Sequence, residues 1–117
     1  MTRPLVLAST SRYRHELLSR LDLAFVTAAP DFDERAEDHH FAALGADRFA
    51  LRLGGGKAMS LRAAHPDAWI LGADQVAVLP PDSDRPEALL LHKPHTIDAA
   101  VDQLMLMSGR VLELVTG

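Results

Sequence analysis

The stretch LVLASTSRYRHELLSRL, residues 5–21, sets the fold class. Its first four residues form a short apolar run after Pro4, suited to a buried strand. Ser9-Thr10-Ser11 then offers N-cap candidates for a helix over roughly 12–21, with Leu17, Leu18 and Leu21 as its apolar stripe. A strand running directly into a helix is the first unit of an alternating α/β chain. The same stretch has a chemical reading. Helix N-termini present free N–H groups and the positive end of the dipole, which favours phosphate. Arg12 and Arg14 add guanidinium forks matched to phosphate oxygens. An ordinary capped helix with solvated arginines would show the same residues.

Working outward, LAFVTAA (residues 23–29) reads as a second strand ending at Pro30, and DFDERAEDHH (31–40) as an acidic surface loop. From Phe41 to His65 the pattern is mainly helical, though Gly45 and Gly54–Gly56 weaken it. Each interior glycine costs about 1 kcal/mol relative to alanine, so Gly54-Gly55-Gly56 predicts a break. Residues 69–79, WILGADQVAVL, form a long strand-like run with Asp74 and Gln75 set inside it. A polar loop, PPDSDRPE, leads to a further strand, ALLLH (88–92). A helix follows over 96–108, with Ile97, Ala100, Val101, Leu104 and Met105 at helical spacing, and VLELV (111–115) reads as a last strand. The expectation is an α/β fold, a mixed sheet flanked by helices, in a single domain over 1–117.

Composition narrows the function. The 117 residues are 48% hydrophobic and 24% charged, in keeping with an ordinary globular chain. Sixteen acidic and twelve basic residues give a formal charge of −4, which argues against binding a nucleic acid polymer. An anionic small molecule is compatible if lysine and arginine gather locally or a cation assists. The absence of cysteine excludes disulfides, thiolate metal sites and cysteine nucleophiles. No apolar run approaches the ~20 residues needed to span a bilayer, and MTRPLVLAST lacks a signal-peptide pattern. No membrane association and a cytoplasmic location are expected.

The segment LRLGGGKAMSL (51–61) invites a phosphate-loop reading, which its register removes. A P-loop needs glycine, four residues, Gly-Lys and a hydroxyl. Those positions hold Leu51 and Ala58 at the first and last places. Lys57 itself is more informative. On a helix it shares an i, i+4 row with Phe49, Leu53 and Leu61, and so interrupts an apolar face. A lysine snorkelling its amine into water would fit the same pattern. Asp74 is the second anomaly, because aspartate inside an apolar strand needs a partner, a metal or a role, unless a turn divides two short strands there. Lys93, following an apolar strand and preceding Pro94, is the third.

In order, LASTSRYRHELL, DFDE, GGGKA, LGADQV and HKP resemble the motifs of the Maf family of nucleoside triphosphate pyrophosphatases, which shares an ITPase-like fold. The resemblance runs from Leu5 to Gly117. Tyr13 after the Ser-rich turn and the Asp74-Gln75 pair resemble the YceF-like branch, which acts on 7-methyl-GTP. Arginine and Asp-Thr are usual there in the branch acting on dTTP and UTP.

The resemblance implies a hydrolase that cleaves a nucleoside triphosphate to monophosphate and pyrophosphate with a divalent cation, Mg²⁺ or Mn²⁺. It implies Asp74 as the catalytic carboxylate and Glu34 with Asp74 as metal ligands. Arg14, Lys57 and Lys93 would face the phosphates, Ser9 and Ser11 would supply the hydroxyl-rich turn, and Tyr13 and Gln75 would set base preference. Three departures stand out: Arg12 where proline is usual, His92 where glycine commonly precedes Lys-Pro, and Gly54–Gly56 ahead of Lys57. The family's later Asp-Lys-Ala-Gly motif has no counterpart, so a chain truncated to the first half of the family fold is expected.

Other sites are poorly supported. The six histidines lack His-Glu-x-x-His spacing, and Ser9, Ser11 and Asp74 lack a Gly-x-Ser-x-Gly elbow. The alternative from another class is a truncated, catalytically silent module that binds nucleotide or protein. Its apolar terminal strand would offer an edge to another chain, as in a homodimer.

Overall fold

The computed structural model describes residues 3–117, so the expected domain begins two residues outside the described part. The order of elements is β1 (Leu5–Ala8), α1 (Arg12–Ser19), β2 (Val26–Ala28), a 3-10 helix (Arg35–His40), α2 (Phe41–Met59), β3 (Trp69–Leu71), β4 (Gln75–Leu79), β5 (Leu89–Leu91), α3 (Ile97–Met107) and β6 (Glu113–Thr116). The α/β class is as expected, and parallel and antiparallel pairing are divided between two sheets. The first is parallel with order β2-β1-β3, and the second is antiparallel with order β5-β4-β6. The apolar run 69–79 is therefore two strands in different sheets. Gly72, Ala73 and Asp74 make the step between them.

Helix α2 joins the two halves. Phe41, Phe49, Ala50 and Leu53 pack with Val76 and Val78 of β4 to form the larger core cluster. Val6 and Ala8 of β1 pack with Leu61, just past the end of α2, to form the smaller one. The row Phe49, Leu53, Lys57, Leu61 is buried along its whole length.

The expected break at Gly54–Gly56 is a correction: α2 runs through all three, and its kink lies at Gly45, whose φ of 76° is a left-handed value. Tertiary packing explains the glycines. A Cβ on Gly54 would lie 2.8 Å from the Gly117 carbonyl oxygen and 3.2 Å from Ala73 Cα. A Cβ on Gly56 would meet the Phe32 ring, whereas one on Gly55 would meet open space. The glycines thus let α2 approach the inter-sheet step on one side and the 31–34 segment on the other.

The segment 31–40 is also more ordered than a loop. Ser60 Oγ accepts a hydrogen bond from Asp31 N–H (3.0 Å), and Asp33 Oδ1 accepts one from Arg35 N–H (3.1 Å), starting the 3-10 helix. Arg52 of α2 then ties that helix down by donating to Glu37 Oε2, with His40 Nε2 3.2 Å from its Nη2.

The molecule is elongated, 56 × 27 × 24 Å, with a radius of gyration of 16.6 Å. A compact chain of about 100 residues would have about 13 Å. Helix α3 buries no residue. Thr96 caps it by accepting from Ala99 N–H (3.0 Å), but Ile97 is 83% exposed and Met105 74% exposed.

Two predictions follow from this packing. Gly55→Ala should stabilise the fold by about 0.4–1 kcal/mol, whereas Gly54→Ala should destabilise it by about 1–3 kcal/mol through overpacking against backbone. Denaturant midpoints separate the two, and equal effects would contradict the close approach. The second concerns Glu37, whose pKa is lowered from 4.5, chiefly by its hydrogen bond to Arg52. A depressed folded pKa contributes stability above the unfolded value, lost as pH falls through the folded value. Glu37→Gln should therefore lower stability at pH 7, and the difference from wild type should shrink as pH falls below 4.5 and vanish only below the lower folded value.

Candidate functional site

A groove of about 900 Å³ runs between the C-terminal end of β1, the 31–38 segment, α2, and the loop after β5. That volume lies within the usual range for small-molecule sites. Ser9, Ser11, Tyr13, Arg14, Glu34, Lys57, Asp74, Gln75 and Lys93 all line it. Every expected site residue therefore reaches one groove.

At the β1–α1 turn the backbone is held by the side chains the sequence supplies. Ser9 Oγ accepts from Ser11 N–H (3.0 Å), and Ser11, the N-cap of α1, accepts from Arg14 N–H (3.2 Å). Both hydroxyl oxygens are thus engaged in shaping the turn. The first turn of α1 carries no acidic residue, so its positive end faces the groove without a compensating carboxylate of its own.

Asp74 sits at the step between the sheets, not within a strand. Its backbone is fixed by reciprocal hydrogen bonds with Gly117, each 2.9 Å. Its side chain is buried, as is Lys57, at 7% and 8% exposed. Lys57 Nζ lies 2.9 Å from Asp74 Oδ1 and 2.5 Å from Glu34 Oε1. Arg14 Nη2 stands 3.9 Å from the same Asp74 oxygen. Two cations and two carboxylates therefore meet at one point. Lys57 does not snorkel its amine into bulk water, because the amine is the centre of this cluster.

The remaining expected residues lie around the rim. Tyr13 is 67% exposed on α1, and Lys93 is exposed on the loop after β5. Gln75, the first residue of β4, is exposed and donates from Nε2 to Thr116 Oγ1 (3.1 Å).

Several lining residues lay outside the expected set, among them His92, Asp38 and Gln103. His92 Nε2 is 2.9 Å from Asp38 Oδ2, joining the loop after β5 to the 3-10 helix across the groove. Gln103 of α3 donates to the His92 carbonyl (2.7 Å). In the sequence, His92 shows only as a replacement for glycine, and Asp38 is one of several acids in a polar segment.

Glu34 and Asp74 are the residues that could hold a divalent cation. Among the described residues no group of three or more metal-ligating side chains is arranged for one. A carboxylate pair fits Mg²⁺ nevertheless, since that ion is usually held by one or two carboxylates plus substrate phosphates.

Comparison with known proteins identifies the family. The family described as Maf-like protein matches residues 4–117. The chain is 42% identical over 113 residues to a 7-methyl-GTP pyrophosphatase of Pseudomonas aeruginosa, covering 97% of this chain and 53% of that protein. It is 45% identical over 114 residues to the protein of that name from Pseudomonas fluorescens, covering 97% and 54%. For that from Xanthomonas campestris pv. campestris the identity is 43% over 112 residues, covering 96% and 53%. The chain spans about half the length of these curated relatives. With the family match running through all five sequence motifs and the residues of the groove, the chain belongs to the Maf family.

Proposed function

We propose that the protein is a nucleoside triphosphate pyrophosphatase that hydrolyses a nucleotide to its monophosphate and pyrophosphate, with 7-methyl-GTP as the preferred substrate. The observation that carries the reading is the buried Asp74 with Lys57, Glu34 and Arg14 around it in a groove that also holds Lys93. The names of the relatives supply the substrate. A nucleotide substrate fits the cytoplasmic location expected from the sequence, and no helix of the described residues is long and apolar enough to cross a membrane.

Hydrolysis of a phosphoanhydride places growing negative charge on nonbridging and leaving oxygens, so fixed cations lower the barrier. Arg14, Lys57 and Lys93 supply those charges, aided by the N-terminal end of α1. Asp74 is assigned the proton of the attacking water. Its ion pairs all fall on Oδ1, which makes Oδ2 the accepting oxygen. Glu34 and Asp74 would hold Mg²⁺ or Mn²⁺, whose positive charge would bind and polarise the phosphates. Tyr13 offers a π face to a methylated purine, which carries positive charge. Gln75 would contact a base edge through its carbonyl oxygen while its nitrogen stays on Thr116.

A second reading rests on α3. The exposed Ile97, Leu104 and Met105 suit a module that a partner, including a second copy, covers. Monomeric, well-folded 117-residue chain with turnover would reject it as a silent module.

The reaction is tested by pyrophosphate release. Asp74→Asn should lower it by about 10²–10⁴-fold, the usual contribution of a general base, and retained activity would remove Asp74 from the reaction. The combined Tyr13→Arg and Gln75→Thr change should move preference away from 7-methyl-GTP among nucleoside triphosphates. An unaltered substrate profile would remove both residues from base selection.

A further inference from the structure

Lys57 has a second role available besides contact with phosphate. Its amine is drawn inward, where two carboxylate oxygens converge on it, one from the 31–34 segment and one from the inter-sheet step. We infer that Lys57 competes with the divalent cation for the Glu34–Asp74 pair, and so couples metal binding to nucleotide binding. The inference rests on the proposed function, in which that pair holds the metal.

Three observations carry it. First, a Mg²⁺ ion needs its oxygen ligands at 2.0–2.1 Å, and Lys57 Nζ is 2.5 and 2.9 Å from the two candidate ligands. An ammonium and a divalent ion cannot both sit at that convergence. Second, Asp74 is buried, and its other cation, Arg14, stands 3.9 Å away. A buried carboxylate without a close counter-charge is costly, so a cation must stay beside it. Third, the lysine is presented by a fixed platform. The Phe49–Leu53–Lys57–Leu61 row is buried, and Phe32 lies against Gly56 one residue before the lysine.

The consequence is a coupling. When the cation takes the carboxylates, the ammonium must leave them, and by itself that exchange offsets much of the metal's binding. Nucleotide phosphates give the displaced ammonium a new partner in the same groove. Metal and nucleotide should then each strengthen the other's binding by the same factor, as linkage requires.

The test is Mn²⁺ binding to the full-length protein, followed by the electron paramagnetic resonance signal of free Mn²⁺ with no nucleotide present. Lys57→Met should bind Mn²⁺ at least about tenfold more tightly than wild type, within the usual range of coupling between sites. Lys93→Met, which removes a groove cation that makes no ion pair with either carboxylate, should change the affinity far less. Adding a 7-methyl-GTP analogue with a methylene bridge between the α and β phosphorus atoms should tighten Mn²⁺ binding in wild type and much less in Lys57→Met. Unchanged or weaker Mn²⁺ binding in Lys57→Met, or an equal gain in Lys93→Met, would overturn the inference. Should Lys57→Met not fold, wild type provides a second readout. Saturating Mg²⁺ alone should raise the acylation of Lys57 seen by mass spectrometry, and unaltered reactivity would overturn the proposal. The titration without nucleotide reads Lys57 directly, so it stands or falls separately from pyrophosphate release.

Discussion

The ion pair between Lys57 and Asp74 is the constraint around which the rest of the molecule is arranged. It connects α2, which packs against both sheets, to the step where the chain passes from one sheet to the other. Because both groups are buried, each depends on the other being in place. The surrounding backbone is correspondingly close-fitted. Gly54 lies against Gly117 and Ala73, and Gly117 in turn holds the Asp74 backbone from both sides. The same helix locates Glu34, through Ser60 on Asp31, Gly56 under Phe32 and Arg52 on Glu37. Site and core are thus one structure, since the residues that pack α2 are also those that aim its lysine.

The chemistry of the groove follows from this arrangement more than from any loop motif. A glycine-rich sequence before a lysine ordinarily points to backbone N–H groups wrapped around phosphate. Here Gly54 and Gly56 leave room on a helix for the Gly117–Ala73 backbone and the Phe32 ring to come close. Positive charge in the groove is contributed by side chains from separate elements: Arg14 from α1, Lys57 from α2 and Lys93 from the loop after β5. Such a site tolerates a net negative chain because the positive charge is local.

The parts of this legible in the sequence were those that violate a local pattern. Lys57 breaks an apolar i, i+4 row, Asp74 breaks an apolar run, and Ser11 precedes a helix it can cap; the structure brings all three to one groove. The parts not legible depend on what lies across space. A turn between two short strands at Asp74 is one reading of WILGADQVAVL, but nothing in its hydrophobic pattern shows that the two halves enter different sheets. Propensity marks both Gly45 and Gly54–Gly56 as weak points and places the break at the second; the kink falls at the first, and close tertiary contact accounts for Gly54 and Gly56. The Asp38–His92 contact joins segments more than fifty residues apart, and neither residue is unusual in its own surroundings. For α3 the sequence gives a good amphipathic helix, but its apolar face remains open to solvent in this chain.

The proposed reaction makes a definite statement about which bond breaks, and ³¹P NMR of the products reads that directly. With full-length protein, Mg²⁺ and 7-methyl-GTP, the spectrum should show the nucleoside monophosphate and pyrophosphate appearing together in equal amounts. Orthophosphate with the nucleoside diphosphate, or an unaltered triphosphate, would contradict the reading of this groove as a pyrophosphatase site.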